Sequence, residues 1–245
     1  MTLDEFKKYV LMCRRIGIND RTIWSGATDS SKYAGIIRSK DKAIIQGLIE
    51  KYYIEAVNAE KSQYKVLVAP RYNGTEFIKN EGEMRDVIHL KMDGNGYIIV
   101  PYEIVDNGHL SELSGRELQV LLQLYSYNFF HMYGGVDPNV INLPGTVDIT
   151  DFKSVSLTAN INEHLYSDIY LTRNKFIVTL LSLMRRGLIK VETVVSEYDG
   201  TRIQYICDYT TEQKLGAGES LIKVVRPVYQ WKGHVEKWNE RNKKL

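Results

Sequence analysis

Between residues 171 and 188 of this chain, apolar residues recur with the period of an α-helix. Apolar side chains recur there at steps of three and four residues, which predicts an amphipathic helix with one buried side. The members of that buried side are Phe176, Ile177, Leu180, Leu181, Leu183, Met184 and Leu188. Gly187 follows the last turn, and glycine favours the left-handed conformation in which many helices end. The pattern therefore predicts a helix that stops at Gly187.

Two strand-like runs, 188–197 and 202–209, come directly after this helix. Asp199-Gly200 lies between them, and Asp-Gly flanked by β-branched and aromatic residues is a strong hairpin signal. Residues 171–209 are therefore predicted to form a helix followed by a β-hairpin.

A weaker version of the same order occupies residues 1–70. Thr2 and Glu5 have the spacing of a capping box, in which Thr is the N-cap and Glu the third helical residue. Three helical patterns follow, and the strand-like runs 53–57 and 64–69 close the segment. We therefore predict a first domain of three helices and a hairpin.

Turn chemistry then predicts a linker at residues 71–96, where Asn73-Gly74 and a Gly-Asn-Gly run occur. Residues 97–226 are predicted to form a second domain with a long insertion at 131–160, which has little regular period. Residues 227–245 are predicted to be a C-terminal helical tail.

The cadence LLSLMRRGLIK followed by the hairpin resembles tandem winged-helix DNA-binding proteins of bacterial, plasmid and phage type, both regulators and replication initiators. Residues 100–127 are similar to the opening of replication-initiator winged helices from Gram-positive mobile elements. The resemblance is to a fold pattern. It implies an α+β fold, mainly α, with two winged-helix domains in tandem. The alternative is an ordinary core helix that leads into a β-hairpin of some other α+β domain.

Charge gives the predicted helix a possible partner. The whole chain carries a net charge of only +2, so a nucleic-acid surface requires local clustering of cations. Residues 171–190 contain five cations and no Asp or Glu. A helix fits the major groove of double-stranded DNA, where its exposed side chains reach base edges, and Arg and Lys neutralise phosphates.

On this hypothesis the outer side of the predicted helix meets DNA. We expect Asn174, Lys175, Val178, Thr179 and Ser182 to face bases, and Arg173 to lie at the exposed first turn. Arg185 and Arg186 are expected near the phosphates, and Lys190 and Arg202 in the hairpin. The first domain offers Lys42 and Gln46, together with the unfavourable Glu50. For each residue the alternative is a solvated helix face.

Other classes of function have little support. The five histidines and two cysteines lack the spacing of metal ligands, and no phosphate-loop or hydrolase motif occurs. We therefore predict a protein that is not an enzyme and uses no metal or cofactor. No apolar run is long enough to span a membrane, and two distant cysteines suit a reducing compartment, so a cytoplasmic location is expected.

Two hypotheses remain. The first is sequence-specific binding of double-stranded DNA by a transcriptional regulator or replication initiator. The second is a winged-helix module that binds protein in a replication or chromosome-maintenance complex, which the near-neutral charge and seventeen tyrosines favour. Apolar residues within 131–160, such as Ile141 and Leu143, also predict a contact with a partner protein or a second copy of the chain.

Overall fold

The computed structural model describes residues 1–14, 22–67, 70–79, 88–91, 97–129 and 135–230. The chain folds as two compact units, Met1–Gly115 and Arg116–Leu245. Both combine α-helices with antiparallel strands, which confirms the α+β class. No helix in these ranges is long and apolar enough to cross a membrane.

The first unit begins with a capped helix. The Thr2 amide donates to Glu5 Oε2 at 2.6 Å and the Glu5 amide donates to Thr2 Oγ1 at 3.2 Å, so the predicted capping box is confirmed. The helices of this part are α1 (Leu3–Arg14), α2 (Ala27–Ala34) and α3 (Asp41–Glu50), the last preceded by a 3-10 turn at Arg38–Lys40.

A three-stranded sheet completes this part of the first unit. Its strands are β1 (Thr22–Trp24), β2 (Ile54–Asn58) and β3 (Gln63–Val66), in the antiparallel order β1-β3-β2. The hairpin of β2 and β3 was predicted, whereas β1 was not. Two further strand pairs follow, β4 (Arg71–Tyr72) with β5 (Phe77–Ile78) and β6 (Ile88–Lys91) with β7 (Tyr97–Val100).

A buried polar group joins helices α1, α2 and α3 of the first unit. Lys8 on α1 is fully buried, and its ammonium donates to Asp41 Oδ1 on α3 at 2.8 Å and to the Ser30 hydroxyl on α2. Because a buried charge is tolerated only when it is paired and hydrogen-bonded, this contact fixes how α3 is rotated about its axis.

The unit boundary differs from the predicted one. Two short helices, α4 (Glu103–Asp106) and α5 (His109–Glu112), were assigned to the second domain, but they pack on α1 and α2. Arg14 at the end of α1 forms a two-pronged ion pair with Asp106, at 2.7 to 3.2 Å. The first unit therefore extends to Gly115. Residues 80–87 and 92–96 of the predicted linker lie outside the described residues.

The second unit is built on a larger sheet. Its helices are α6 (Gly115–Ser126), α7 (Phe152–Thr158), α8 (His164–Ser167) and α9 (Arg173–Arg185). Its strands are β8 (Asn128–Phe129), β9 (Gly135–Val136), β10 (Ile141–Pro144), β11 (Asn160–Ile161), β12 (Ile189–Tyr198), β13 (Ile203–Asp208) and β14 (Glu219–Pro227). Five strands form an antiparallel sheet in the order β11-β10-β14-β12-β13, and β12 pairs with β14 from Ile189–Pro227 to Glu197–Glu219.

The interval 131–160 is not the irregular insertion that was predicted. Its described part supplies β9, β10, α7 and the start of β11. Ile141 and Leu143 are buried in the core of their own unit, so they give no reason to expect a partner at this place. Residues 131–134 and the greater part of the predicted C-terminal tail, from 231 onward, lie outside the described residues.

The predicted buried side of α9 is confirmed. Phe176, Ile177, Leu180 and Leu183 are at most 1 % exposed, and Leu188 after the helix is also buried. The apolar pattern therefore located the core correctly in the region on which the functional hypothesis depends.

Cys13 and Cys207 are free thiols in different units, and burial raises the pKa of the Cys13 thiol to about 12.

Candidate nucleic-acid interface

Both ends of α9 are closed by local hydrogen bonds. Thr172 is the N-cap, and its hydroxyl accepts from the Lys175 amide at 3.4 Å. At the other end Gly187 has a φ of +70°. The Gly187 amide donates to Met184 O and the Leu188 amide donates to Leu183 O, which is the Schellman pattern. The predicted glycine stop is confirmed, and the helix presents one defined outer side.

A stripe of exposed side chains runs along that outer side. It consists of Asn174, Lys175, Val178 and Arg185, and we call it the α9 stripe. These residues fall within about 100° of arc at 3.6 residues per turn. In the described part of the chain no carboxylate pairs with Lys175 or Arg185. Val178, at 49 % exposure, is an apolar group among these polar neighbours. The stripe therefore carries two available cations, an amide and an apolar contact.

Arg173 does not belong to the exposed first turn as predicted. Its guanidinium donates to Ser156 O at 2.8 Å and to Ala159 O at 2.6 Å. These carbonyls lie at the C-terminal end of α7, where a helix leaves acceptors without intrahelical partners. Arg173 therefore joins α7 to the start of α9, and its hydrogen-bonding groups are directed at the protein.

The predicted positions of Thr179 and Ser182 on the exposed side are also wrong. Thr179 is only 4 % exposed, and its hydroxyl donates to the Lys175 carbonyl one turn earlier at 2.7 Å. Ser182 is half-buried and donates to Glu117 Oε1 on α6 at 2.8 Å. Neither hydroxyl is directed toward a ligand on the outer side.

Two of the cations predicted to bind DNA, Arg186 and Lys190, already have counter-ions. Arg186 Nε donates to Glu117 Oε1 at 2.7 Å. Lys190 lies 2.5 Å from Glu192 Oε1, and Arg226 donates to the other oxygen of that carboxylate at 2.9 Å. Burial raises the pKa of Glu192, but the hydrogen bonds from Lys190 and Arg226 outweigh it and hold the pKa below its ordinary value. These cations are therefore less available to phosphate than the sequence indicated.

The predicted turn of the hairpin is confirmed. Asp199 Oδ1 accepts from the amides of Thr201 and Arg202 at 2.9 Å each, and Gly200 has a φ of +93°. The Thr201 hydroxyl and these amides hold the pKa of Asp199 well below its ordinary value. The Arg202 side chain is exposed at the tip, and no carboxylate pairs with it in the described residues. The hairpin thus offers a third available cation.

The first unit presents cations that the sequence analysis missed. Lys42 is exposed as predicted, and Arg38 and Lys40 are exposed beside it. Asp41 between them is turned inward to Lys8, so its charge is compensated. Asp41 precedes the buried Ile44, Ile45 and Leu48 by helical steps, and this spacing already indicated that Asp41 lies on the inner side of the helix. The prediction did not use that spacing. The Gln46 amide, in contrast, already donates to Glu50 at 3.0 Å.

The described residues contain no group of three or more His, Cys, Asp or Glu that could hold a metal ion. What they do present is a set of exposed cations on α9, on the hairpin tip and at the start of α3. The roles of these residues in DNA binding stay predictions. Comparison with protein-family models, with curated proteins and with solved structures finds no match for this chain.

Proposed function

We propose that this protein binds double-stranded DNA in a sequence-specific manner, as a transcriptional regulator or a replication initiator, through two winged-helix units. The observation that carries the proposal is the α9 stripe. Lys175 and Arg185 on it are exposed, no carboxylate of the described residues pairs with them, and α9 itself contains no Asp or Glu. An exposed helix of this composition suits the major groove.

The order of the elements supports the winged-helix part of the proposal. A winged helix runs helix, strand, helix, helix, strand, strand, and its last strand lies between the other two. The first unit has this order in α1, β1, α2, α3, β2 and β3, with the sheet order β1-β3-β2. In the second unit α6, β10, α7, α9, β12 and β14 follow the same order, with β10-β14-β12 in the sheet. Further elements are interposed there: β8, β9 and α8, and the strands β11 and β13 at the two edges of the sheet.

The roles of the side chains follow from their chemistry. Asn174 and Lys175, in the first turn of α9, are assigned to base edges, because an Asn amide suits adenine and a Lys ammonium suits guanine. Val178 suits the methyl group of thymine. Arg185 and Arg202 are assigned to phosphates, and Arg38, Lys40 and Lys42 give the first unit a phosphate-binding surface of its own.

Fluorescence anisotropy with the full chain tests this assignment. The duplexes are the DNA that flanks the protein's own gene and a scrambled sequence, each measured at two salt concentrations. Arg185→Ala should weaken binding to both duplexes and lower the log–log salt slope by about 0.9. Asn174→Ala should reduce the preference between them by roughly 1–3 kcal/mol. Lys214→Ala is the matched control, since Lys214 is an exposed cation in a loop outside the α9 stripe.

If Arg185→Ala binds both duplexes with the affinity and salt dependence of Lys214→Ala, the α9 stripe is not the DNA surface. The protein-binding hypothesis then becomes the better one, and a specific observation favours it. Leu157 and Tyr170 are 75 % and 95 % exposed in the segments that Arg173 joins, so a protein bound there would remove apolar surface from water. Loss of binding to a replication protein in Leu157→Ser and Tyr170→Ser would support that role.

A further inference from the structure

A cleft of about 410 Å³ opens on one face of the five-stranded sheet in the second unit. The cross-strand pairs Asn142–Asn160 and Ser196–Ser220 both contribute to it. Side chains that are directly opposite in an antiparallel sheet lie on the same face, so each pair brings two polar groups side by side. Ile203 and Ile222 give the cleft an apolar part.

One wall of the cleft is fixed by an asparagine. Asn139 Oδ1 accepts from the Ile203 amide at 2.8 Å, and Asn139 Nδ2 donates to the Ile203 carbonyl at 3.2 Å. Asp137 Oδ1 accepts from the same Nδ2 at 2.8 Å and holds the amide group in place. Because the segment before β10 is tied to β13 in this way, the cleft is formed before any ligand enters, as is usual for small-molecule sites.

Two polar side chains of the cleft have hydrogen-bonding groups that are available to a ligand. Asn142 is half-buried and Asn160 is exposed, and neither side-chain amide has a hydrogen-bond partner in the described part of the chain. Each offers two N–H donors and one carbonyl acceptor. Tyr198 is exposed, and its hydroxyl donates to Gly200 O at 3.0 Å, which presents the ring at the rim. A ligand with alternating donors and acceptors would satisfy these groups.

Charge narrows the class of ligand. None of the described lining residues is Lys, Arg or His. Glu197 is the one charged residue of the lining, but it lies between Ser196 and Tyr198 on β12, so its side chain is on the opposite face of the sheet. A phosphate or carboxylate placed in the cleft would meet no cation to offset its loss of hydration. Hydroxyl groups, in contrast, can exchange hydrogen bonds with the amides and serines.

We propose that this cleft binds a small uncharged ligand with adjacent hydroxyl groups, which is the chemistry of a free sugar and of the ribose in a nucleoside. The cleft volume of about 410 Å³ lies within the range of small-molecule sites. Glu197, Tyr198 and Ile203 line the cleft and belong to the β12–β13 hairpin. The site does not depend on the proposed DNA binding.

Isothermal titration of the full chain tests this proposal with D-glucose, D-ribose, adenosine, 2′-deoxyadenosine and glucose 6-phosphate. We expect saturable binding of at least one of the three uncharged probes with adjacent hydroxyls, D-glucose, D-ribose and adenosine, at concentrations up to about 10 mM. Binding of adenosine but not 2′-deoxyadenosine identifies the nucleoside source, and binding of glucose identifies the free sugar. Glucose 6-phosphate should bind more weakly than glucose. Absence of saturable binding by all the probes overturns the proposal, as does equal or tighter binding of the phosphate ester.

Variants locate the site. Asn142→Ala/Asn160→Ala should weaken binding at least about tenfold, because two hydrogen-bonding amides are lost. Glu212→Gln, which changes an exposed carboxylate outside the cleft, should leave binding unchanged. If the double variant does not fold, Asn160→Ala alone is used, because Asn160 is exposed on a terminal strand. Binding that persists at wild-type strength in a folded Asn142→Ala/Asn160→Ala or Asn160→Ala protein refutes this location.

Discussion

Arg185 and Arg186 are adjacent in sequence, but the structure predicts opposite consequences for their removal. Arg186 Nε donates to a carboxylate oxygen of Glu117, whose side chain is 8 % exposed, whereas the Arg186 side chain is 40 % exposed. Arg185 is exposed, its Nε donates to the Leu181 carbonyl one turn earlier at 3.3 Å, and no carboxylate of the described ranges pairs with it. We expect Arg186→Ala to destabilise the second unit and Arg185→Ala to leave its stability nearly unchanged.

The magnitude follows from the exposure of the pair. Loss of one partner from a fully buried ion pair costs about 3–5 kcal/mol, whereas an exposed pair contributes about 0–1 kcal/mol. Arg186 is partly solvated, and Glu117 keeps the hydrogen bond from Ser182. We therefore expect a loss of about 2 kcal/mol, between these limits. For a unit of this size that lowers the unfolding temperature by roughly 7 °C, whereas Arg185→Ala should change the free energy of unfolding by less than about 0.5 kcal/mol.

Calorimetry and urea unfolding of the full chain measure both effects. A double-mutant cycle isolates the pair, because Arg186→Ala should cost less in a Glu117→Gln background, where no buried charge remains. The Glu117–Arg186 contact does not stabilise the unit if Arg186→Ala unfolds at the same temperature as Arg185→Ala. The same conclusion follows if the free-energy losses of Arg186→Ala and Glu117→Gln are additive in the double variant.

Three further predictions concern the first unit. Gly35→Ala places a Cβ 2.9 Å from Ser111 O at a φ of +67°, whereas Gly74 has a φ of +97° and open space around it. The urea midpoint of Gly35→Ala should therefore fall further than that of Gly74→Ala. Equal losses would show that the contact with Ser111 has no effect. Lys8→Met leaves Asp41 buried without its cation and should lower the free energy of unfolding in urea by about 3–5 kcal/mol. The double variant Lys8→Met/Asp41→Asn should recover part of this loss. A double variant as unstable as Lys8→Met would contradict the pairing of Lys8 with Asp41. Burial raises the pKa of Glu5, but Lys51 and the Thr2 amide hold that pKa below its ordinary value of 4.5, so the ionised Glu5 stabilises the fold above pH 4.5 and this stabilisation is lost as the pH falls further. Below pH 4.5 the urea midpoint of Glu5→Gln should therefore depend less on pH than that of the wild type. Parallel curves for the two proteins would contradict this role of Glu5.

The sequence was sufficient where one element contains its own signals. The apolar period, Gly187 and Asp199-Gly200 located α9 and the hairpin because all of these signals are local. In contrast, β1 has only three residues, which is too short for a period to appear. The interval 131–160 was misinterpreted because β10, α7 and β11 are each short, and β10 finds its partner β14 about 80 residues later. The pairing that defines such a strand is not visible in its own residues.

The candidate interface shows the same division. Exposure of Lys175 followed from the helical period, since this position lies nearly opposite the centre of the apolar side, whereas Asn174 and Arg185 lie near its border. Ser182 and Arg186 were misplaced because their partner Glu117 is 65 and 69 residues away in the chain. Thr179 lies at the border of the apolar side, where burial depends on neighbouring helices rather than on the period itself. Positions at such borders can be assigned only from the tertiary structure.

The central place of β14 has a consequence for how the second unit is made. This strand is the last one described in the chain, yet it pairs with β10 on one side and with β12 on the other. During synthesis on the ribosome, β10 and β12 emerge well before the strand that joins them. Until residues 219–227 are available, the edges of both strands present unpaired N–H and C=O groups, which can pair with other chains. A nascent chain that stalls before Glu219 should therefore be prone to aggregation through its second half, although the first unit, complete by Gly115, can already be folded.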